Sequence, residues 1–134
     1  MQKEIKHTWY FNQSPEEVWQ YLTNRDLLEQ WMMKNDFEPV VGHKFTFHCH
    51  HEVYCEVLEV KPYSKLSYSW RFASVEDDKR MDSKVVWTLT PIADGTELLI
   101  VHDGFTLLGD FISHNKGWTA LGNNFIQLLT AVTP

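Results

Sequence analysis

Apolar and polar residues alternate at the start of the chain, with Ile5, His7, Trp9 and Phe11 set against Glu4, Lys6, Thr8 and Tyr10. A period of two marks a strand with one buried face, so a first strand is expected here. Ser14-Pro15-Glu16-Glu17 comes next. Ser14 can cap free amides, Pro15 suits the first helical position and Glu17 completes a capping box, which predicts a short helix over residues 15–22. Asn24 can cap a second helix, in which Leu27, Leu28, Trp31 and Met32 fall near one face.

From residue 41 to residue 105 the pattern changes to strand-length segments divided by turn signals. Gly42 opens a strand carrying Phe45 and Phe47. A turn over residues 50–52 returns it through residues 53–60, and Pro62 breaks the chain. Leu66, Tyr68, Trp70 and Phe72 alternate with Ser67, Ser69 and Arg71, so the first set is expected to face inward. Residues 75–82 are charged and read as a surface loop. Val85, Trp87 and Leu89 form the next inward row. Asp94-Gly95 reads as a hairpin turn, and Leu98, Ile100 and His102 form the inward row of the last strand. Asp103 then alternates outward, and Gly104 marks a turn.

At the C-terminus Trp118, Leu121, Phe125, Leu129 and Val132 recur at three- and four-residue steps, the stripe of a helix of roughly four turns that must lie on the sheet. Gly122 falls one turn after Trp118, and either close packing or deliberate empty volume would explain it. The elements thus predict one α+β domain over residues 1–134, with a six-stranded antiparallel sheet, a meander after strand one, two short helices and a long C-terminal helix.

Composition adds to this picture at one point. Aromatic residues make up 14% of the chain, including six Trp, enough for a thick core or a lined cavity. The net charge of −6 and the lack of a basic patch argue against nucleic acid and anionic membrane surfaces as partners. No apolar run approaches the roughly 20 residues needed to span a bilayer, and the start lacks a signal-peptide pattern, so a cytoplasmic location is expected. Cys49 and Cys55, six apart, are then expected to be free thiols.

Several segments together resemble one family. They are Ser14-Pro15-Glu16-Glu17-Val18-Trp19, Leu28 through Trp31, Val41-Gly42, Val57-Leu58-Glu59-Val60-Lys61-Pro62, and Leu66-Ser67-Tyr68-Ser69-Trp70. Further on come Gly95-Thr96-Glu97-Leu98, His102-Asp103-Gly104-Phe105, and His114 with Gly117-Trp118. In order and spacing the chain is similar to the C-terminal-domain type of the activator of the heat-shock-protein-90 ATPase, within the START and polyketide-cyclase (SRPBCC) superfamily. The resemblance implies a helix-grip fold and a cavity. It further implies binding of a lipid, sterol or polyketide-like molecule, since relatives bind such ligands and superfamily cyclases shape a reactive chain in a pocket. The eukaryotic co-chaperone carries a further N-terminal domain, which this chain is not expected to supply.

The residues themselves support a ligand site. Phe45, Phe47, Tyr68, Trp70 and Trp87 on the sheet would face Trp31 from the second helix and Trp118, Leu121 and Gly122 from the last, a lining that suits a planar or aliphatic molecule. The same side chains can instead interlock as a dry core. His102 and His114, with Tyr68 as hydroxyl donor, would orient a ligand carbonyl or carboxylate, or else tie strand to helix as structural groups. His48, Cys49, His50 and His51, with His43 and Cys55 nearby, invite a metal, but neighbours on a strand point to opposite faces and no metal is expected. No phosphate-cradling glycine loop, nucleophile elbow or zincin motif is present, so neither a cofactor nor a motif-based catalytic centre is expected. The leading function is binding of a small hydrophobic molecule. The alternatives are a chaperone-assisting or protein-interaction domain, and a cyclase- or hydratase-type enzyme using His102, Tyr68 or His114 as acid or base.

Overall fold

A computed structural model describes residues 3–48, 52–72 and 82–132, the side chains of residues 3, 72 and 132 excepted. The elements are β1 (Lys3–Phe11), α1 (Pro15–Thr23), α2 (Arg25–Trp31), β2 (Lys34–Asn35), β3 (Lys44–His48), β4 (Val53–Lys61), β5 (Lys65–Phe72), β6 (Ser83–Ile92), β7 (Gly95–Phe105) and α3 (Leu108–Val132). The strands form one antiparallel sheet in the order β1-β7-β6-β5-β4-β3-β2. This is the expected helix-grip arrangement with one strand more than the six predicted. The extra strand, β2, pairs Lys34 with His48 and Asn35 with Phe47. Two residues are too few to leave a period-two signature.

Local chemistry explains the helices. The Ser14 hydroxyl accepts from the Glu17 amide at 3.3 Å, with Pro15 in the first helical turn. Asn24 serves both short helices: its amide N–H closes α1 on Gln20, while its side-chain oxygen accepts from Asp26 and Leu27 to start α2. The indole of Trp31 donates to the Tyr21 carbonyl at 2.9 Å and locks α2 against α1.

Helix α3 has 25 residues, about seven turns rather than the four expected. Its first turns extend beyond the predicted stripe, with Leu108 and Ile112 exposed and Phe111 packed on the edge of the core. Within the predicted stripe Trp118, Phe125 and Leu129 are buried, whereas Leu121 is only half-buried. The helix lies mainly along β1, with lesser contact to α2 and β7. Gln13 secures its C-terminal end by donating to the Leu129 carbonyl at 2.9 Å, and its own carbonyl accepts from Thr96 at 2.8 Å.

Two turn assignments change. The β6–β7 hairpin turns on Ala93 and Asp94, the latter at φ +68°, and Gly95 already pairs with Ile92. Gly104 is not a turn after β7 but a bulge within it: Asp103 opposes Glu4 and Phe105 opposes Lys3, which leaves Gly104 unopposed at φ +102°. A Cβ there would come within 2.9 Å of Ser83 Cα. The bulge shifts the side-chain alternation by one, so His102 and Phe105 both point into the core.

Candidate functional site

The inward rows of the sheet and the facing helices meet in two aromatic groups. The first joins Trp70 on β5, His102 on β7, and His114 and Trp118 on α3. Trp118 Nε1–H donates to His102 Nδ1 at 2.9 Å, which leaves His102 Nε2–H to donate to Ser83 Oγ at 2.8 Å. The Ser83 hydroxyl passes its hydrogen to the Trp70 carbonyl at 2.8 Å. Trp70 Nε1–H in turn donates to His114 Nε2 at 3.3 Å, and His114 Nδ1–H donates to the Asp110 carbonyl at 2.8 Å. Every ring nitrogen of both histidines is thereby used.

Such bonding requires neutral imidazoles. Burial pushes His102 down to about 3, and the neighbouring His114 adds to the shift. Burial also lowers His114, partly opposed by its bond to the Asp110 carbonyl. Both groups therefore stay uncharged at neutral pH. His102 lies fully buried, its ring 4.6 Å from that of Phe105.

The second group is almost wholly apolar. Phe45 and Phe47 on β3 and Tyr68 on β5 meet Phe37, which follows β2. Ring centroids lie 4.9 Å apart for Phe37 and Phe45, 5.3 Å for Phe45 and Tyr68, and 6.3 Å for Phe37 and Tyr68. The single polar bond of this group runs from Trp87 Nε1–H to the Tyr68 hydroxyl oxygen at 2.8 Å. Burial holds the Tyr68 phenol well above its usual range. Phe37 carries no periodic signal, because Asp36, Glu38 and Pro39 surround it in sequence. It is held from outside instead: its amide donates to Asn35 Oδ1 at 3.0 Å and its carbonyl accepts from Arg25 at 3.4 Å.

The remaining expected lining residues divide between these groups or fall outside both. Trp31 stacks on Phe125 at 4.2 Å and meets Trp87 edge-on at 6.0 Å. Trp87 and Trp118 lie 5.5 Å apart and connect the two groups. Leu121 packs on the edge of the core. Gly122 borders no empty volume: a Cβ there would run into the Trp9 indole of β1, so close packing accounts for this glycine. It therefore lies on the β1 side, away from Tyr68 and Trp70.

Other candidates sit elsewhere. His43 approaches Glu38 at 3.5 Å and His48 approaches Glu52 at 3.8 Å, both at the surface. Among the described residues no three His, Cys, Asp or Glu side chains converge as a metal site would require. Cys49, His50 and His51 lie outside the described residues. Cys55 is a free, buried thiol, pushed up by burial and then by Asp36. An open groove of about 440 Å³, lined by Lys44, Tyr54, Glu56 and Arg71 among others, lies on the face of β3–β5 turned away from α3.

Residues 12–130 match the family described as Activator of Hsp90 ATPase homolog 1-like protein. No functionally curated protein matches the chain. Among solved structures, protein MLL2253 from Mesorhizobium loti is 33% identical, with a TM-score of 0.90 over 98% of this chain and 100% of that one. The Aha1 dimer from Colwellia psychrerythraea is 22% identical, with a TM-score of 0.81 over 95% of this chain and 96% of its own. DynU16, a putative protein in the dynemicin biosynthetic locus, is 21% identical, with a TM-score of 0.84 over 98% of this chain but only 48% of its own length. The two more distant likenesses establish the shared fold. With a family match over most of its length and MLL2253 aligned over nearly all of it, the chain belongs to the Activator of Hsp90 ATPase homolog 1-like family.

Proposed function

We propose that the chain binds a small hydrophobic molecule of lipid, sterol or polyketide-like character between the concave face of β3–β5 and α3. The observation that carries this reading is where the helix lies. Its backbone packs mainly along β1, so the concave face of β3–β5 is covered by the rings of Phe37, Phe45, Phe47 and Tyr68 rather than by main chain. Rings can part at the cost of contacts a ligand would restore, whereas a packed helix would have to leave as a unit. Fold likeness to DynU16, a putative protein in the dynemicin biosynthetic locus, supports the same reading by analogy.

Trp70, Trp87 and Trp118 line or adjoin this space, so ligand should change tryptophan emission and raise the melting temperature by mass action. A panel of sterols, flavonoids, fatty acids and polyketide-like aromatics that gives neither signal would reject it. Acid–base catalysis by His102 or His114 gains no support, because both ring nitrogens of each are already hydrogen-bonded. A second reading, a protein-interaction or chaperone-assisting role, draws on exposed Leu107, Leu108 and Ile112 at 48%, 55% and 44% accessibility around the start of α3.

A further inference from the structure

Resting on the ligand-binding reading, we infer that the ligand is an uncharged molecule carrying a hydrogen-bond acceptor such as a ketone or quinone oxygen, and that the Tyr68 hydroxyl is the donor that holds it. Most hydrogen-bond donors between the sheet and α3 are already committed. His102 and His114 have committed both ring nitrogens, Ser83 gives its hydrogen to the Trp70 carbonyl, and the indoles of Trp31, Trp70, Trp87 and Trp118 each donate to a partner. Tyr68 is different. Its oxygen accepts from Trp87, and this is its one hydrogen-bond partner among the described residues, so the phenolic hydrogen has no protein acceptor there.

The residue is only 2% exposed and ringed by Phe37, Phe45 and Phe47. A buried donor left unmatched is destabilising. An acceptor delivered into the apolar group would remove that penalty.

The same surroundings set the ligand's charge. No Lys or Arg is buried among the described residues, and the two inward histidines are neutral. A carboxylate carried into this interior would find no cation, and burying an unpaired charge is far more costly than burying a carbonyl. Free fatty acid anions, admitted by the broader reading, are therefore disfavoured against neutral carbonyl compounds.

The test compares three probes of one shape: 9-fluorenone, fluorene and fluorene-2-carboxylate, titrated against the full chain by tryptophan quenching. In a pocket without a donor the ketone should bind more weakly than the hydrocarbon, because its carbonyl would lose water and gain nothing. With Tyr68 donating, fluorenone should bind threefold to tenfold more tightly than fluorene, and the carboxylate most weakly. Tyr68→Phe should reverse the order of fluorenone and fluorene. That variant also strips Trp87 of its acceptor and can fail to fold, so the infrared carbonyl stretch of fluorenone bound to the unmodified protein supplies a second measurement. It should lie at lower frequency than in hexane.

Binding of fluorene and fluorenone with an unshifted carbonyl, an order unchanged in Tyr68→Phe, or a carboxylate as tight as the ketone would each overturn the inference while leaving the binding reading intact. An internal water already pairing the hydroxyl would produce the first of these results. Absence of binding by all three probes would reject both.

Discussion

The two aromatic groups between sheet and helix are built from similar residues and differ in what holds them. Around Trp70, His102, His114 and Trp118, hydrogen bonds run from one side chain to the next and end on main-chain carbonyls, so each ring is fixed in orientation as well as position. Around Phe37, Phe45, Phe47 and Tyr68, contact is by dispersion and burial, with one bond at the edge. Directional bonds resist displacement of a single member because each loss strands a buried partner, while apolar contacts can be exchanged for those of another apolar body. The first group ties α3 to the sheet, and the second is the part where the proposed ligand would replace apolar contacts with its own.

The sharpest way to break this comparison is a pair of substitutions of similar size. His102→Leu orphans the Trp118 indole and removes the bond to Ser83, an expected loss of about 2–4 kcal/mol in unfolding free energy. Phe45→Leu leaves no polar group unpaired and removes only part of an apolar side chain, so it should cost less, about 1–2 kcal/mol. Urea denaturation of both variants measures the difference, and equal costs would erase the distinction between the groups.

Gly122→Leu probes the anchoring of α3 on the β1 side. The new side chain must displace the Trp9 indole, so a loss of about 1–3 kcal/mol is expected, with apolar-probe binding retained. Abolished binding in a stable variant would place the ligand along β1 instead.

A separate effect, spread over several pH units, comes from the buried histidines. In the unfolded chain His102 protonates near 6.5, whereas the folded site refuses the proton until about 3. The unfolded state thus binds more protons within that window. Stability should be full above pH 6.5 and fall as the pH drops through it, by up to about 1.4 kcal/mol per unit for this group. His114, shifted in the same direction, adds to the slope. Glu59, drawn down by Lys65 and Lys61, contributes only as the pH approaches its ordinary value of 4.5 and falls below it, so the upper part of the window reports mainly on the histidines. Urea midpoints at stepped pH should decline there, and His102→Leu should flatten the decline.

Much of the fold was legible because its signals are local. Alternation over Ile5 to Phe11, the Ser14 and Asn24 caps and the stripe from Trp118 to Leu129 depend on residues within a few positions of each other, and neighbours in the chain dictate strand period, helix period and capping. The inward placement of Tyr68, Trp70, Trp87 and His102 followed from the same periodicity.

What the tertiary structure alone decided lies at longer range. Trp70 meets His114 across 44 positions in the chain, and His7 meets Asn115 across 108. No local pattern encodes such pairings, because they depend on how sheet and helix are set against each other. Phe37 entered the interior from an irregular segment without periodicity, and Gly104 turned Phe105 inward through a bulge that interrupts the period-two rule. Chain-local chemistry therefore determined the elements and their buried faces. The division of those faces into a bonded half and an apolar half was decided only when strands and helix came together, because hydrogen-bond partners are chosen by distance in space.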